Sequence, residues 1–142
     1  AQPPALPAEH QTALAAVERG DWAAAQAAFR TALNNNPSDL AAKLGLARVE
    51  LFQRVESIDG PGAAAAAERP DASLENVLDA ADVEIAAERP QVAFDRLLAR
   101  FQQSDAADRE IIRRRLVSYF DVVGSDHPAV GPARRALAAL LN

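Results

Sequence analysis

The stretch that decides the fold runs from residue 13 to residue 37 and reads ALAAVERGDWAAAQAAFRTALNNNP. Its first part carries small apolar residues and ends at Gly20, a residue type that commonly terminates a helix. Its second part places Ala25 and Phe29 four residues apart, on one face of a second helix over residues 22–33. Three asparagines and a proline stop that helix. The stretch therefore predicts a helical hairpin.

Small residues are expected where the two helices of this hairpin cross. Ala13 on the first helix and Ala25 on the second leave room for a close approach of the two backbones. Phe29 is large enough to fill the space between this hairpin and the next one. The hairpin is thus expected to pack through alanines, with Phe29 as its apolar anchor.

The helix-first pattern recurs along the chain with a period of 34 residues. Residues that keep this interval are Ala13, Ala47 and Ala81, then Val17, Leu51 and Ile85, and the pairs Leu40–Leu74 and Leu44–Leu78. In the second and third copies these apolar residues fall at spacings of four, three and four, which is one helical stripe. Each copy is predicted to begin with an amphipathic helix.

The second and third copies differ in the segment after that helix. In copy two, Ser-Ile-Asp-Gly-Pro-Gly at 57–62 displaces the second helix, which is left with the alanines 63–67. Alanines favour a helix but offer little apolar area to bury, so this helix is expected to be short and weakly packed. In copy three the hairpin returns, with a second helix from Pro90 through Phe101.

Two further helices are predicted beyond the third copy. The first spans about 106–123 and is capped by Ser104 or Asp105. The last helix is expected to be capped by Ser125 or Asp126. This pair should close the end of the array, because terminal units of stacked repeats need a polar outer face.

The chain resembles a known repeat and, at its end, a known family. The spaced residues of the first hairpin resemble the tetratricopeptide repeat, whose period is also 34 residues. The terminal pattern is similar to the C-terminal region of thioredoxin-like co-chaperones of the YbbN (CnoX) type, and it reads Phe120-x3-Gly124-x3-Pro128-x-Val130-x3-Arg134-Arg135-x-Leu137-Ala138-x-Leu140-Leu141. The resemblance implies an all-α fold of antiparallel helical hairpins, stacked as a short right-handed solenoid and closed by a C-terminal hairpin.

The repeats also predict how the chain is divided. Residues 1–8, rich in proline, are expected to form a linker or a frayed N-terminus, and residues 9–142 a tetratricopeptide-like helical domain. The predicted repeats are 9–37, 38–70 and 71–103, and the capping hairpin is 104–142.

The family resemblance implies a function without catalysis in this chain. In that family a thioredoxin-fold domain precedes a linker and a tetratricopeptide-like region, and the proteins act in protein folding and the oxidative-stress response. The cytoplasmic location is expected from the acidic charge balance of the chain. The implied partners are unfolded client proteins and the chaperonin or Hsp70 systems. The chain has no cysteine, so no redox residue of the family can be assigned to it.

Composition excludes several classes of function. With no cysteine, disulfide scaffolds and thiol catalysis are excluded, and no apolar run approaches the roughly 20 residues that a bilayer-spanning helix needs. A net charge of −5 argues against a nucleic-acid surface, because phosphate binding depends on clustered cations. No cofactor is expected, and neither is a membrane partner.

The histidines and carboxylates do not form a catalytic pattern. His10 lies near the start, His127 lies beside a helix entrance, and no pair of them has the spacing of a metal site. Both are interpreted as structural or surface residues. Four carboxylates share one helix and are interpreted as a solvated face, with Arg89 and Arg96 as ion-pair partners: Asp79, Asp82, Glu84 and Glu88.

One basic segment is dense enough to be weighed as a nucleic-acid site. Arg113, Arg114 and Arg115 are consecutive, with Arg109 one turn before them. Consecutive residues point about 100 degrees apart on a helix, so these arginines fan around it instead of forming a stripe. Ion pairing with acidic neighbours such as Glu110 is the favoured interpretation.

A partner-binding groove is the remaining hypothesis. Stacked hairpins present the first helix of each pair on a concave surface, and six residues next to the apolar stripes are predicted to line it: Leu44, Arg48, Phe52, Leu78, Asp82 and Ile85. The alternative for Leu44, Leu78 and Ile85 is a place in the core. Arg48, Phe52 and Asp82 are expected to reach solvent, and Phe52 is the preferred anchor for a partner peptide.

The origin of the chain is left with two alternatives. It has no methionine, even at position 1, which indicates a processed or excised piece. Either a domain was cut from behind a proline-rich linker, or a secreted chain lost its signal peptide. The first fits a co-chaperone module, and the second fits an exported, free-standing tetratricopeptide-like scaffold or adaptor.

Overall fold

A computed structural model describes residues 6–142, which form eight α-helices and contain no strand. The helices are α1 (Ala8–Glu18), α2 (Trp22–Asn35), α3 (Leu40–Glu56), α4 (Gly60–Ala67), α5 (Leu74–Ala86), α6 (Pro90–Gln102), α7 (Ala106–Val123) and α8 (Val130–Leu141). The predicted all-α fold of helical hairpins is confirmed. Most of the predicted linker at 1–8 falls on residues 1–5, which lie outside the described residues.

The chain divides into two compact units, residues 1–53 (unit 1) and residues 54–142 (unit 2). Unit 1 contains the α1–α2 hairpin and most of α3. Unit 2 begins within the last turn of α3 and contains α4 to α8. Each unit has its own buried apolar residues.

The core of unit 1 is built mainly from alanine. Ala13, Ala16 and Ala25 are fully inaccessible to solvent. The whole cluster contains Ala13, Ala16, Ala25, Ala28, Phe29, Ala32, Ala42 and Val49. The small side chains let α1 and α2 pack closely along their length, as the crossing of Ala13 and Ala25 predicted.

Phe29 packs against α3 at a position that only glycine fits. A Cβ atom added to Gly45 would overlap the Phe29 ring. The absence of a side chain at residue 45 therefore makes room for the ring, which is itself buried. The expectation that Phe29 fills the space between the first hairpin and the next helix is confirmed.

His10 joins the start of α1 to the start of α3. Its Nε2 lies 2.6 Å from Oδ2 of Asp39, and its ring meets the edge of Phe29 at 6.1 Å between centroids. The other Asp39 oxygen accepts the backbone N–H of Ala42 at 3.0 Å, in the first turn of α3. These hydrogen bonds lower the pKa of Asp39, and the bond from the Ala42 amide has the largest effect. His10 is therefore a buried structural residue, although the sequence placed it near a frayed end.

Unit 2 is organised around α5, which packs against α4, α6 and α7. Ser73 and Asn76 cap α5 reciprocally, each side chain bonding the backbone N–H of the other. The core of α6 to α8 is richer in large side chains than that of unit 1. Its largest fully buried side chains include Phe94, Leu97, Phe101, Ile112, Leu116 and Tyr119.

The helix α4 is short, as the alanine run predicted. It has eight residues, of which Ala63 alone is buried. Because alanine offers little area to bury, α4 depends on its contact with α5 for its position. Its N-terminus extends to Gly60, three residues earlier than the alanine run.

Two local predictions were wrong. Leu40 was expected in the apolar stripe of the second repeat, yet 63% of its surface is exposed because it is the first residue of α3, before the turns that enter the core. The last helix was expected to be capped by Ser125 or Asp126. Its N-terminal neighbour is Ala129, whose backbone N–H donates to Nδ1 of His127 at 3.0 Å. By contrast, Asp105 caps α7 as predicted.

Candidate binding groove

An open groove of about 830 Å³ lies within unit 2. Its walls come from the last turn of α3, the 57–59 loop, α4, α5 and α7. In the predicted repeats α3, α5 and α7 are the first helices of successive pairs. An apolar strip lines the groove and is formed by Ile58, Ala63, Leu74, Leu78 and Ile111. Of these, Ile111 is the most exposed, with 45% of its surface accessible.

Asp82 is the least accessible residue of the groove lining, and we call its position the groove floor. Only 1% of its surface is accessible. Arg54 makes a two-point contact with it, Nε to Oδ2 at 2.9 Å and Nη2 to Oδ1 at 3.0 Å. Nη1 of Arg115 lies 3.0 Å from both carboxylate oxygens. Two guanidinium groups thus hold one buried carboxylate, and the three side chains together carry one positive charge.

Tyr119 completes this cluster from the core side. Its hydroxyl donates to Oδ1 of Asp82 at 2.5 Å, and the residue is fully buried. Burial, reinforced by the negative charge of Asp82, raises the pKa of Tyr119 well above its usual value. The phenol therefore stays protonated at neutral pH and acts as a hydrogen-bond donor. We call Arg54, Asp82, Arg115 and Tyr119 the Asp82 cluster.

The Asp82 cluster corrects the expectation that Asp82 reaches solvent. Asp82 lies four residues after Leu78 and three before Ile85, and both of these are buried. A helical residue at those spacings shares the buried face, so Asp82 must enter the core with its partners. That spacing is the sequence signal for the burial of Asp82. No local pattern identifies Arg54 and Tyr119 as its partners, because they are 28 and 37 residues away from Asp82 in sequence.

Three other carboxylates of the groove lining are more accessible to solvent than Asp82. Asp59 and Glu75 are exposed, and Asp79 is half-buried. Partial burial raises the pKa of Asp79, and the negative charges of Glu75 and Asp82 raise it further, against an opposing effect of Arg115. Among the described residues, no hydrogen bond or ion pair joins the side chain of Glu75 or Asp79 to another side chain.

A second buried ion pair lies on α5 and α6. Glu84 is buried and accepts two hydrogen bonds from Arg96, both at 2.9 Å. Arg96 also donates to exposed Glu68 at 3.3 Å. Arg96 was predicted as a partner for the acidic residues of α5, and this is confirmed. The expectation that Glu84 lies on a solvated face was wrong, because Glu84 points from α5 into the packing with α6.

The three consecutive arginines of α7 form ion pairs with two different carboxylates. Arg113 and Arg114 both donate to Glu110, at 2.8 and 2.9 Å, as the ion-pairing interpretation predicted. These hydrogen bonds lower the pKa of Glu110 to about 2. Arg115 instead turns towards Asp82. The three arginines therefore do not form one cationic surface.

The six residues predicted to line a groove fall in both units. Leu78 and Asp82 line the groove of unit 2, whereas Ile85 is a core residue of the same unit. In unit 1, Leu44 is half-buried and Arg48 is exposed. Phe52 is 40% exposed and packs on Trp22, with 5.6 Å between the ring centroids. Phe52 therefore has a structural contact as well as an exposed face.

Among residues 6–142, no group of three or more histidine, aspartate or glutamate side chains is placed to hold a metal ion. Within the same part of the chain, no helix combines the length and apolar character needed to span a bilayer. The described arrangement is a groove with an apolar strip, one buried carboxylate held by two arginines, and three more accessible carboxylates. Such a lining can hold an extended segment of a protein by apolar contact and charge.

Comparison with known proteins agrees with the helical hairpins. The tetratricopeptide repeat family matches residues 53–142. Uncharacterised proteins of Mycobacterium bovis and of two strains of Mycobacterium tuberculosis are each 29% identical to the chain over 125 residues. That match covers 88% of this chain and 41% of each relative. No solved structure matches the chain.

The matched segment contains α4 to α8 and every residue that lines the groove. Tetratricopeptide repeats are stacked helical hairpins that present extended surfaces for binding other proteins. More than half of the sequence matches, and so the chain belongs to the tetratricopeptide repeat family.

Proposed function

We propose that this chain is the non-catalytic, protein-binding module of a cytoplasmic thioredoxin-fold co-chaperone. In this proposal it holds extended segments of unfolded clients and passes them to a chaperonin or Hsp70 system, including under oxidative stress. The observation that carries the binding role is the open groove of unit 2, which places an apolar strip beside charged side chains. The co-chaperone role is supported by the resemblance of the chain end, residues 120–141, to that family.

The groove suits binding more than catalysis because the buried carboxylate of its lining already accepts hydrogen bonds from neighbouring side chains. Both oxygens of the Asp82 carboxylate are engaged by Arg54, Arg115 or Tyr119. A general base needs a free oxygen within hydrogen-bond distance of the substrate. The Asp82 cluster therefore stiffens the groove, and the apolar strip is left to make contact with a partner.

The binding role is tested by an exposed apolar residue of the groove and a matched control on the same helix. Ile111 and Val117 are both exposed on α7, but Ile111 lines the groove and Val117 does not. We expect the chain to suppress aggregation of heat-denatured citrate synthase, measured by light scattering. Ile111→Asp should weaken that suppression severalfold, while Val117→Asp should leave it unchanged.

The co-chaperone role is tested separately with purified partners. Immobilised chain should bind purified chaperonin or Hsp70 in a biolayer interferometry experiment, and a preformed complex with a denatured client should release that client to the chaperonin. If the chain neither suppresses aggregation nor binds either chaperone, the co-chaperone proposal is wrong. The exported scaffold or adaptor then becomes the better interpretation of the same fold.

A further inference from the structure

We propose that the groove of unit 2 selects extended partner segments that combine apolar side chains with lysine or arginine. This inference rests on the proposed binding function and specifies the chemistry of the partner.

The apolar strip sets the first requirement on the partner. Leu74, Ile58 and Ile111 offer accessible hydrocarbon within the groove. Burying such surface against a partner is favourable by roughly 25 cal/mol per Å² of apolar area. A segment of polar side chains alone would leave this strip in contact with water, so one or more aliphatic or aromatic side chains are needed.

The charge of the lining sets the second requirement. Two arginines, Arg54 and Arg115, face four carboxylates, those of Asp59, Glu75, Asp79 and Asp82. The net charge of the lining is therefore negative by two. Asp82 engages both arginines, so the floor carries one positive charge, and the three remaining carboxylates outweigh it in the potential that an incoming segment meets.

Asp79 lies where the carboxylates of the lining are closest together along the helix. It lies one turn from both Glu75 and Asp82 on α5. Partial burial raises the pKa of Asp79, and these two negative charges raise it further, against the opposing effect of Arg115. A lysine or arginine side chain placed between Glu75 and Asp79 would relieve the repulsion. An acidic segment would add a third like charge, or it would have to displace Asp82 from two guanidinium groups and a phenol.

The test uses three fluorescein-labelled peptides that share the same leucines and serines and carry two lysines, two glutamines or two glutamates. Fluorescence anisotropy with the intact chain at low ionic strength gives their affinities. We expect the lysine peptide to bind about fivefold tighter than the glutamine peptide, and the glutamate peptide to bind most weakly. Raising the salt concentration should reduce the difference, because these charges are partly exposed.

Variants of the chain assign this preference to the groove. Glu75→Gln combined with Asp79→Asn should abolish the preference for lysine, so that the lysine and glutamine peptides bind this variant with equal affinity. The control, Asp95→Asn combined with Asp126→Asn, removes two carboxylates from residues outside the groove lining and should keep the preference. Reversing the charge with Glu75→Lys and Asp79→Lys should make the glutamate peptide the tighter ligand.

The possible failures are distinguishable. If the glutamine or glutamate peptide binds as tightly as the lysine peptide, and Ile111→Asp weakens all three, the charge preference is wrong and the binding function stands. If no peptide binds and Ile111→Asp has no effect on aggregation of citrate synthase, the proposed function itself is wrong. If the control variant loses the preference as fully as the groove variant, the preference reflects the overall charge of the chain and the inference is overturned.

Discussion

The first hairpin, α1–α2, and the third, α5–α6, lie two periods apart in sequence and share the geometry of their turns. Ala13 and Ala25 in the first correspond to Ala81 and Ala93 in the third, and all four are fully buried. At the turn, Gly20 has a φ of 70° and Glu88, its equivalent, has a φ of 59°. The two crossings are therefore built on the same backbone plan.

The side chains around that plan differ sharply. Ala16 and Ala28 are buried in the first hairpin, and the equivalent positions in the third are Glu84 and Arg96, which form the buried ion pair. Leu14 is 48% exposed, whereas its equivalent, Asp82, is buried in the Asp82 cluster. One helical pair thus relies on close contact of small side chains, and the other adds charge pairs that must be satisfied.

The largest expected effect is at Asp82. Asp82→Asn removes the carboxylate that two guanidinium groups share, and we expect the free energy of unfolding to fall by about 3 to 5 kcal/mol because charges are left buried without a partner. Urea unfolding followed by circular dichroism measures this change. Leu14→Asn, the same residue introduced at the equivalent exposed position, should cost only about 0.5 kcal/mol. Equal costs would show that the two hairpins do not differ in this way.

A double-mutant cycle tests whether the third hairpin can use the packing of the first. Glu84→Ala alone should cost about 2 to 3 kcal/mol, since Arg96 loses its two-point partner. Replacing Arg96 by alanine as well places alanine at both positions, as the first hairpin has at Ala16 and Ala28. We expect the double variant to be more stable than the single Glu84→Ala variant. A double variant that is less stable, with losses that simply add, would argue against this equivalence.

The alanine crossing of the first hairpin is expected to be intolerant of larger side chains. Ala13→Leu introduces volume where α1 and α2 approach closely, and it should cost roughly 1 to 3 kcal/mol. Ala15→Leu is the control, because Ala15 is an exposed residue of the same helix. Thermal unfolding of both variants checks the prediction, which fails if both have the melting temperature of the parent chain.

The smallest expected effect is at the turn of the third hairpin. Glu88 adopts a left-handed backbone conformation that side chains disfavour, while glycine adopts it without strain. Glu88→Gly should therefore stabilise the chain by up to about 1 kcal/mol, and Gly20→Ala should destabilise it by a similar amount. Opposite shifts of the two melting temperatures would confirm that the turns are equivalent.

The helical hairpins could be predicted from the sequence because several local features agree. The spacing of alanines indicates the helices, and Gly20 and the proline after the asparagines mark where they end. The α1–α2 boundaries were therefore predicted within two residues. Leu78 and Asp82, two of the residues predicted for a partner-binding groove, line the groove of unit 2, and their role in binding stays a prediction. The burial of Asp82 was not predicted, because it depends on Arg54, Arg115 and Tyr119, which the fold alone brings together.

Helix ends that depend on single side chains were predicted less well. Asp105 gave a clear capping signal and was correct. Ser125 and Asp126 gave the same kind of signal, but α8 begins four residues after Asp126, where His127 supplies the hydrogen bond. Several polar residues in succession all satisfy a capping rule, and the packing of the helix decides among them.

The stacking of Trp22 on Phe52 and the burial of Tyr119 give each unit its own optical reporter. The chain has one tryptophan, in unit 1, and one tyrosine, in unit 2. Indole emission therefore reports on the first unit, and the ultraviolet absorbance of the phenol reports on the second. Without any added label, a single denaturation experiment can reveal whether the units lose their structure together or in sequence.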